Sequence, residues 1–433
     1  MAIQALLVIL AVLLVLLFLG VPISYAIAVS SLTAILSSID LNVAVLTAAQ
    51  RTFVGMSKFS LTAIPFFILA GNIMNQGGIA KRLVDFVMSI LGKLPGALLI
   101  TNIGTNALFG AISGSASAAA AAVGSMIRDG AEEQGYDPAV TAATNAASSC
   151  SGLLIPPSNA LITYSLASGG TSVAALFMAG YVPGIIWALA CAVVGVILAK
   201  KLGYKGTPGK FDWKNLGVCT LRALPSLSLI IVVIGGIVGG VFSATEGSAI
   251  AVVYALILAF CYRSINLKSL WKIIVDSAKM SGMVVFLVGV SNILGWVMAF
   301  LQIPDAVAAL LLGLTNNKYI ILLIMNVILL VSGTFMDVTP AILIFTPLFL
   351  PICQSFGMST IQFGLILVYN LCIGNITPPV GNALFVGIKV GRTSLSKVMP
   401  YMLMYYVAII GGLLLVTFIP AVSTALPQAM GLM

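Results

Sequence analysis

The chain has 433 residues, of which 61% are hydrophobic and only 7% are charged, and its mean hydropathy is +1.17. A water-soluble chain carries about 25% charged residues to cover its surface, so most of this surface must face lipid. The chain has no histidine, which excludes the usual imidazole base and the commonest metal ligand. Its six cysteines include no CxxC pair, which argues against a zinc ribbon, an iron–sulfur cluster or a disulfide framework. This composition predicts a polytopic α-helical membrane protein.

The net charge of +9 comes from basic residues that are confined to a few loops. Basic loops on the cytoplasmic side are what the positive-inside rule predicts, so we expect no nucleic-acid partner. The apolar start, 1–19, has no basic region in front of it, and we interpret it as a retained helix. The densest basic run, which includes one carboxylate at Asp212, consists of Lys200, Lys201, Lys205, Lys210, Lys214 and Arg222.

The first helices in chain order form a pair over 3–38, which is broken at Gly20-Val21-Pro22. A more polar helix with Arg51 and Lys58 follows, and we expect it to lie flat near the headgroups. A spanning helix, a hairpin, a broken helix and a closing helix complete the first half, which ends near residue 200.

The hairpin is predicted from the length and the punctuation of residues 96–127. This segment would make a single helix of about 48 Å, or two half-length helices that enter and leave the membrane on one side. Its middle is Ser113-Gly114-Ser115, small polar residues that are typical of a helix break. We favour the re-entrant hairpin, because both flanks then lie in the cytoplasm and the later loops fall where their charge requires.

A helix that is interrupted by Pro156-Pro157 follows the hairpin. Proline removes an amide donor and clashes with the preceding turn, so two in succession predict an unwound stretch. Unwound backbone inside a membrane is tolerated only where it lines a cavity or is buried in protein. Freed carbonyls with the hydroxyls of Ser113 and Ser115 suit a hard cation such as Na⁺, and helix N-termini suit an anion. Simple proline kinks with helix-packing serines are the alternative.

The second half of the chain repeats the first at an offset of about 220 residues. Four matches in the same order predict two structural repeats, at roughly 1–200 and 222–433. An Asn-Ala-Leu sequence follows both Pro156-Pro157 and Pro378-Pro379. The four pairs of matching motifs begin at Ala26 and Ala249, at Gly71 and Ser291, at Ser113 and Ser332, and at Cys150 and Cys372.

Loop charge indicates how the two repeats are oriented. The segment 81–93 is basic, whereas its counterpart in the second half, 303–318, contains a single lysine. Conversely, the basic segment 389–397 corresponds to 167–172, which carries no charge. Basic loops therefore alternate between the halves, which predicts an inverted-topology repeat, the architecture of many secondary transporters.

The second half is predicted to follow the same order as the first. Its helical pair covers 223–263 with a break near Thr245-Glu246-Gly247, and its hairpin covers 319–350 around Ser332-Gly333-Thr334. Its polar helix contains Lys268, Lys272, Asp276 and Lys279. The predicted division is scaffold helices at 1–95 and 222–318, transport elements at 96–172 and 319–397, a closing helix with the basic linker at 173–221, and a closing helix at 398–433.

Asp337 is the exceptional charged residue, since it lies in an apolar segment shortly after Ser332 and directly before a Thr-Pro. A carboxylate inside a membrane is costly unless it is paired or functional. It has no counterpart in the first half, where alanines follow Ser117. We predict a role for Asp337 at a cation or substrate site, with a helix-capping role at the hairpin tip as the alternative.

Several motifs of this chain are specific when they are taken together. They are Gly20-Val21-Pro22, Ile64 to Met74, Ser113-Gly114-Ser115, Ile155 to Ser158, Ala244 to Leu256 and Gly333 to Asp337. On these residues, and over essentially its whole length, the chain resembles the large membrane subunit, the DctM-type protein, of tripartite ATP-independent periplasmic (TRAP) transporters. That family tends to have a proline beside the Thr-Glu turn, whereas this chain has Ser243-Ala244, a departure at a scaffold turn.

The resemblance implies an all-α, elevator-type transporter of the ion transporter superfamily in the bacterial inner membrane. Two re-entrant hairpins and two discontinuous helices would slide against a scaffold. The resemblance also implies Na⁺ coupling without ATP, no cofactor and no enzymatic activity. The substrate would be a C4-dicarboxylate, a sialic acid or a related organic anion. The implied partners are a small four-helix DctQ-type membrane subunit, not fused to this chain, and a periplasmic DctP-type binding protein.

The family's functional positions can be carried over to matching residues of this chain. The resemblance implies Na⁺ sites at Ser113, Gly114 and Ser115 with the break at Pro156, and at Gly333, Thr334 and Asp337 with the break at Thr377. It implies that the substrate contacts Ser115, Ser158, Asn159 and Asn382.

Three other functions compete with this interpretation. One of them, a passive channel, is disfavoured because a pore does not require two sets of re-entrant and broken helices, although selectivity filters can use them. A stand-alone Na⁺/dicarboxylate symporter of the same broad architecture would need no partner proteins, and uptake by the chain alone would favour it. An intramembrane enzyme or a redox subunit is disfavoured, because histidine is absent and carboxylates in apolar segments are scarce.

Overall fold

The computed structural model describes residues 2–206, 212–315 and 317–433, so Lys210 of the basic run lies outside the described residues. Every regular element in these ranges is a helix. The first half contains α1 (Ala2–Phe18), α2 (Ile23–Ile35), α3 (Leu41–Met56), a 3₁₀ turn (Phe59–Thr62), α4 (Ala63–Gln76), α5 (Ile79–Leu91), α6 (Ala97–Ser113), α7 (Ala116–Glu133), α8 (Pro138–Ser149), α9 (Ser151–Leu154), α10 (Asn159–Ala167) and α11 (Val173–Lys201). The second half contains α12 (Trp213–Val238), α13 (Ala244–Cys261), α14 (Leu267–Phe300), α15 (Ile303–Leu314), α16 (Lys318–Gly333), α17 (Val338–Ser355), α18 (Thr360–Gly374), α19 (Asn382–Val390), α20 (Leu395–Phe418) and α21 (Ala421–Ala429).

Several of these helices match the dimensions of a bilayer. Six of the described helices are long and apolar enough to cross a membrane, or seven if α3 and α4, which bend by 60° at a short break, form one span. The six are α11, α12, α13, α14, α17 and α20. The predicted polytopic α-helical membrane protein is confirmed.

The helix breaks follow the punctuation that the sequence predicts. Helices α1 and α2 part at Gly20-Val21-Pro22, and Gly20 has φ +78°, a conformation that glycine adopts without steric cost. The second helical pair parts between α12 and α13, where Ser243 and Glu246 form a capping box. Both predicted hairpin segments consist of two helices, and both proline pairs interrupt a helix.

The first helix of the second half begins earlier than the predicted residue 223. The carboxylate of Asp212 accepts hydrogen bonds from the N–H groups of Lys214 and Asn215, each at 3.0 Å, and so caps α12 at Trp213. Lys214 and Arg222 therefore belong to a helix and not to the linker.

The polar helix and the spanning helix of the second half are continuous, contrary to prediction. Helix α14 runs over 34 residues without a break, whereas α3 and α4 of the first half are separate. Pro65 lies in the first turn of α4, where the missing N–H costs nothing, and a proline there favours a helix start. Since α14 contains no proline, nothing in its backbone chemistry ends the helix at the equivalent point.

The two halves pack on each other reciprocally. Helix α4 packs on α13 while its counterpart α14 packs on α2, and α5 packs on α12 while α15 packs on α1. The same exchange relates α10 on α17 to α19 on α7, and α11 on α18 to α20 on α8. Contacts in which i meets j and j meets i are the signature of a two-fold axis. The predicted repeat is therefore present as a pseudo-two-fold structure.

Two equivalent side-chain contacts show the same symmetry at atomic detail. Asn72 of α4 donates through Nδ2 to the hydroxyl of Ser277 on α14, at 2.8 Å. In the reciprocal contact, the side chain of Asn292 on α14 lies so close to Gly55 of α3 that an added Cβ there would be 2.6 Å from Asn292 Nδ2. The matching Asn72 and Asn292 motifs thus join the halves to each other.

Each hairpin packs on its own broken helix through a pair of glycines. A Cβ added to Gly152 would lie 2.1 Å from the Cα of Gly110, and one added to Gly374 would lie 2.4 Å from the carbonyl carbon of Gly333. Real Cβ atoms do not approach so closely, so backbones touch at these positions only because neither residue has a side chain. The hairpin tips are therefore held against the helix breaks.

Candidate functional site

The tip of the first hairpin is a tight break between α6 and α7. Gly114 follows the end of α6 with φ +60°, and its N–H donates to the carbonyl of Gly110 at 2.7 Å. The hydroxyl of Ser115 accepts a hydrogen bond from the N–H of Ala118 at 3.3 Å, so Ser115 is the N-cap of α7. The sequence Ser113-Gly114-Ser115 thus ends one helix and starts the next.

The tip of the second hairpin is longer and ends at Asp337. The carboxylate of Asp337 accepts from the N–H of Val338 at 2.9 Å and is the N-cap of α17. Asp337 is therefore the structural counterpart of Ser115, which corrects the expectation that it has none in the first half. The longer loop hid this relationship, because Thr334 aligns with Ser115 in the sequence repeat although it ends the preceding helix.

The unwound stretch of the first broken helix lies between α9 and α10. Pro156-Pro157 is a cis peptide, and Ser158 behind it is the buried N-cap of α10. The hydroxyl of Ser158 donates to the carbonyl of Leu153 and accepts from the N–H of Leu161 at 3.3 Å. Ser158 therefore holds the break together, and its hydroxyl has no remaining hydrogen to donate to a ligand.

Hydrogen bonds connect each hairpin tip to the neighbouring break. In the second half, the N–H of Val380 donates to the carbonyl of Thr334 at 3.1 Å. In the first half, Nδ2 of Asn159 donates to the carbonyl of Gly114 at 3.5 Å. The Pro378-Pro379 peptide is cis, as is its counterpart in the first half. Tip and break form one unit in each repeat.

A cavity of about 160 Å³ lies where the two units meet, and we name it the central cavity. It is lined by Ile64, Ile68, Gly114, Ser115, Ala116, Ser117, Leu153, Asn159, Ala160, Thr163, Met280, Val284, Asp337, Val338, Thr339 and Asn375. Residues from both hairpin tips and both broken helices therefore contribute to a single site.

The two walls of the central cavity differ in chemistry. Its polar side chains come from the hairpin tips and the broken helices, and they include Ser115, Asn159 and Asp337. The opposite wall consists of Ile64 and Ile68 on α4 and Met280 and Val284 on α14, all apolar. Polar contacts to a ligand can therefore come from one wall only.

The electrostatics of the central cavity suit an anion and a cation together. Helices α7, α10 and α17 all begin at the cavity and line it with residues of their first turn. First-turn N–H groups lack intrahelical partners and carry partial positive charge, which stabilises an anion. Asp337 adds one negative charge at the same place, which favours a cation beside the anion.

Only some of the predicted site residues line the central cavity. Gly114, Ser115, Asn159 and Asp337 do, and Oδ1 of Asn159 is buried without a hydrogen-bond partner in the described structure. Asn382 is exposed at the start of α19 and does not line the cavity. The predicted residues that belong to the tips and breaks but do not line the cavity are Ser113, Pro156, Ser158, Gly333, Thr334 and Thr377.

Four polar residues of the cavity were missed at the level of sequence. Ser117 and Thr339 lie in the first turns of α7 and α17, so the nearby caps Ser115 and Asp337 already pointed to them. Thr163 lies one turn after Asn159 and donates to its carbonyl at 2.8 Å. Asn375 was hidden by the repeat itself, because its counterpart in the first half is Leu153, which also lines the cavity.

In this structure, two hairpins and two broken helices meet at one cavity where several helices begin. This is the architecture of many secondary transporters. Comparison with known proteins gives the family. The profile described as "Tripartite ATP-independent periplasmic transporter, DctM component" matches residues 10–422. The chain belongs to this family of transporter permeases, and the resemblance seen in the sequence is confirmed.

Relatives with similar sequences extend over almost the whole chain. A Salmonella typhimurium protein named "Uncharacterized protein YgiK" is 49% identical, covering 94% of each chain. The C4-dicarboxylate TRAP transporter large permease protein DctM of Pseudomonas aeruginosa is 37% identical, covering 93% of each. The isethionate TRAP transporter permease protein DctMQ of Oleidesulfovibrio alaskensis is also 37% identical, covering 93% of this chain and 63% of its own.

A solved structure has a related fold. The crystal structure of the YdaH transporter from Alcanivorax borkumensis aligns with a TM-score of 0.63 at 15% sequence identity, covering 88% of this chain and 89% of that one. At this identity the similarity shows the fold alone, and it agrees with the all-helical membrane architecture described above.

Proposed function

We propose that this chain is the substrate-translocating subunit of a Na⁺-coupled uptake system for a small organic anion in the bacterial inner membrane. It receives the anion from a DctP-type periplasmic binding protein and works with a DctQ-type small membrane subunit. Membership in the DctM component family supports this proposal, because the family is that of a tripartite transporter.

The observation that carries the proposal is the composition of the central cavity. Three helix N-termini favour an anion there, and one carboxylate, Asp337, favours a cation next to it. A relative of this chain is named for C4-dicarboxylates and another for isethionate, which are both small anions. A cavity of about 160 Å³ is in keeping with a cargo of a few heavy atoms.

Na⁺ is proposed to bind beside the anion, at the C-terminal ends of α6 and α16. The last carbonyls of a helix lack intrahelical donors, and hard oxygen ligands suit an alkali cation. Ser113 and Gly114 supply such groups in the first half, and Gly333 and Thr334 supply them in the second. Asp337 provides the negative charge that the cation requires.

The elevator mechanism is proposed from the one-sided polarity of the cavity. Because the polar lining comes from the hairpins and the broken helices, these elements can carry the bound cargo while the apolar wall of α4 and α14 stays in place. A bifunctional thiol reagent that joins Ile68→Cys on α4 to Ser117→Cys on α7, in a Cys261→Ser background, is expected to stop uptake reversibly. Unchanged uptake by the cross-linked protein would rule out sliding between these walls.

The test of the proposed function is uptake into proteoliposomes that contain this chain with its small subunit. An inward Na⁺ gradient is expected to drive accumulation of radiolabelled succinate or isethionate only when the binding protein is present. Accumulation without Na⁺ would contradict the coupling. Equal accumulation by this chain alone would instead identify a stand-alone symporter.

A further inference from the structure

A second, larger cavity lies beside the central cavity and contains two cations that form no ion pair with a described carboxylate. Its volume is about 320 Å³, and we name it the outer vestibule. It is formed by α3 and α14 on one side and by the end of α10 and the middle of α17 on the other. Its polar lining consists of Arg51, Lys58, Ser291, Asn292 and the indole of Trp296.

The two cations of the outer vestibule have no acidic partner in the part of the chain that the structure describes. No acidic residue lines this cavity, and neither Arg51 nor Lys58 forms an ion pair with a described carboxylate. Both side chains are exposed, and the Arg51 guanidinium lies 5.8 Å from the ring centre of Trp296. A cavity that contains two positive charges and no negative one concentrates small anions.

The outer vestibule continues the central cavity along one face of α14. Met280 and Val284 line the central cavity, and Val288, Ser291 and Gly295 line the vestibule at successive turns of the helix. Residues spaced by three or four positions lie on the same helix face. The two cavities therefore lie end to end along the apolar wall, within about 20 Å of helix.

The vestibule lies at the end of the molecule that the loop charges assign to the periplasm. Lys58 and the basic pair Lys81-Arg82 flank opposite ends of α4, and Gly169 and Lys200 lie at opposite ends of α11. Two separate elements thus put the vestibule opposite the basic loops, which the positive-inside rule assigns to the cytoplasm.

We propose that the outer vestibule is a second anion-binding station, in which Arg51 and Lys58 hold a small organic anion on its way to the central cavity. This inference rests on the proposed function and adds the route and the charge selection of the substrate. The class of ligand is a small, water-soluble carboxylate or sulfonate. The headgroup of an anionic lipid also presents negatively charged oxygen atoms to cations, and the experiments below distinguish it from a soluble anion.

The first experiment measures anion access without any transport. Trp213 and Trp271 are exposed and are replaced by Phe, whereas Trp187 is fully buried and shielded from quenchers, so Trp296 becomes the reporter. In phosphatidylcholine nanodiscs, we expect iodide to quench this protein at least about two-fold more strongly than the variant with Arg51→Gln and Lys58→Gln. Acrylamide, a neutral quencher, is expected to act equally on both.

Two matched variants make this result specific. Lys318→Gln removes another outer cation that does not line the vestibule, and it is expected to leave iodide quenching unchanged. The pair Arg51→Lys and Lys58→Arg keeps both charges and is expected to keep the quenching. The proposal would be overturned if the charge-preserving pair lost as much iodide quenching as the neutral pair, or if the neutral pair lost none. If added phosphatidylglycerol abolished the quenching, the vestibule would instead bind a lipid headgroup.

The second experiment connects the vestibule with uptake. At low ionic strength, the neutral pair is expected to raise the succinate or isethionate concentration for half-maximal uptake by about ten-fold while the maximal rate stays within two-fold. The difference should shrink at high salt, because screening weakens the attraction. A lower maximal rate with an unchanged half-maximal concentration would contradict a holding station. If the parent protein transports neither anion, the proposed function fails, while iodide quenching still tests the vestibule.

Discussion

Asp337 is the only carboxylate among the residues that line the central cavity. Its position as N-cap of α17 unites the two roles that the sequence left open, because a capping Asp also lies at the cavity. Its charge, rather than its cap, is the property that the proposed Na⁺ coupling would need. Asparagine caps a helix about as well as aspartate, so it can separate the two.

Replacement of Asp337 by Asn is expected to lower Na⁺-driven uptake by about ten-fold or more, which corresponds to roughly 1.4 kcal/mol of lost transition-state stabilisation. The thermal midpoint should stay close to that of the parent protein, because the cap is kept. Asp337→Ala should lower uptake as well and also cost about 1 kcal/mol of stability. Asp305→Asn, which removes a carboxylate outside the cavity, is the control. Normal uptake by Asp337→Asn would remove this residue from the site.

The sequence showed which polar residues lie at the hairpin tips and helix breaks, but it did not show which hydrogen bonds their side chains form. Ser115 and Asp337 were found because polar residues stand out in apolar segments. Ser158 was expected at the substrate, but its hydroxyl is used by Leu153 and Leu161 inside the break. Hydrogen-bond partners of this kind depend on how an unwound chain closes on itself, which composition does not encode.

At the scale of helices, contact between hairpin and broken helix depends on glycine. The sequence repeat included Gly152 and Gly374, but it could not show that they meet Gly110 and Gly333 across a helix interface. The two proline pairs predicted the breaks in the broken helices correctly. The sequence did not predict that α14 is continuous, because α14 has no proline and therefore differs from its symmetry mates α3 and α4, which are bent at a break.

Gly152→Ala and Gly374→Ala are each expected to lower the free energy of unfolding by about 1–3 kcal/mol, because the new Cβ would meet backbone atoms that have no room to move. Gly130→Ala is the matched control, since a Cβ at this position of α7 meets nothing within 4 Å. It should be neutral or stabilise by up to about 1 kcal/mol. Thermal unfolding of the purified protein measures both effects. Equal midpoints for all three variants would contradict the packing of tips on breaks.

At the scale of the whole molecule, the reciprocal packing of the halves is the property on which the proposed elevator mechanism depends. A two-fold arrangement offers two equivalent sets of hairpin and broken helix around one cavity, and the alternating access proposed above would use both sets. The sequence predicted this symmetry from four short motifs that recur in the same order at a nearly constant offset. It could not predict the vestibule, whose residues come from α3, α10, α14 and α17 and share no motif.

The inverted arrangement of the two halves can be tested through the sidedness of Lys93 and Lys318, which flank the two hairpins. Single Lys93→Cys and Lys318→Cys variants are made in a Cys261→Ser background, since Cys261 is the exposed native thiol among the described residues. A membrane-impermeant maleimide added to spheroplasts is expected to label Cys at position 318 at once, and Cys at position 93 only after the membrane is permeabilised. Labelling of both positions from the same side would contradict the inverted arrangement of the halves and the transport mechanism built on it.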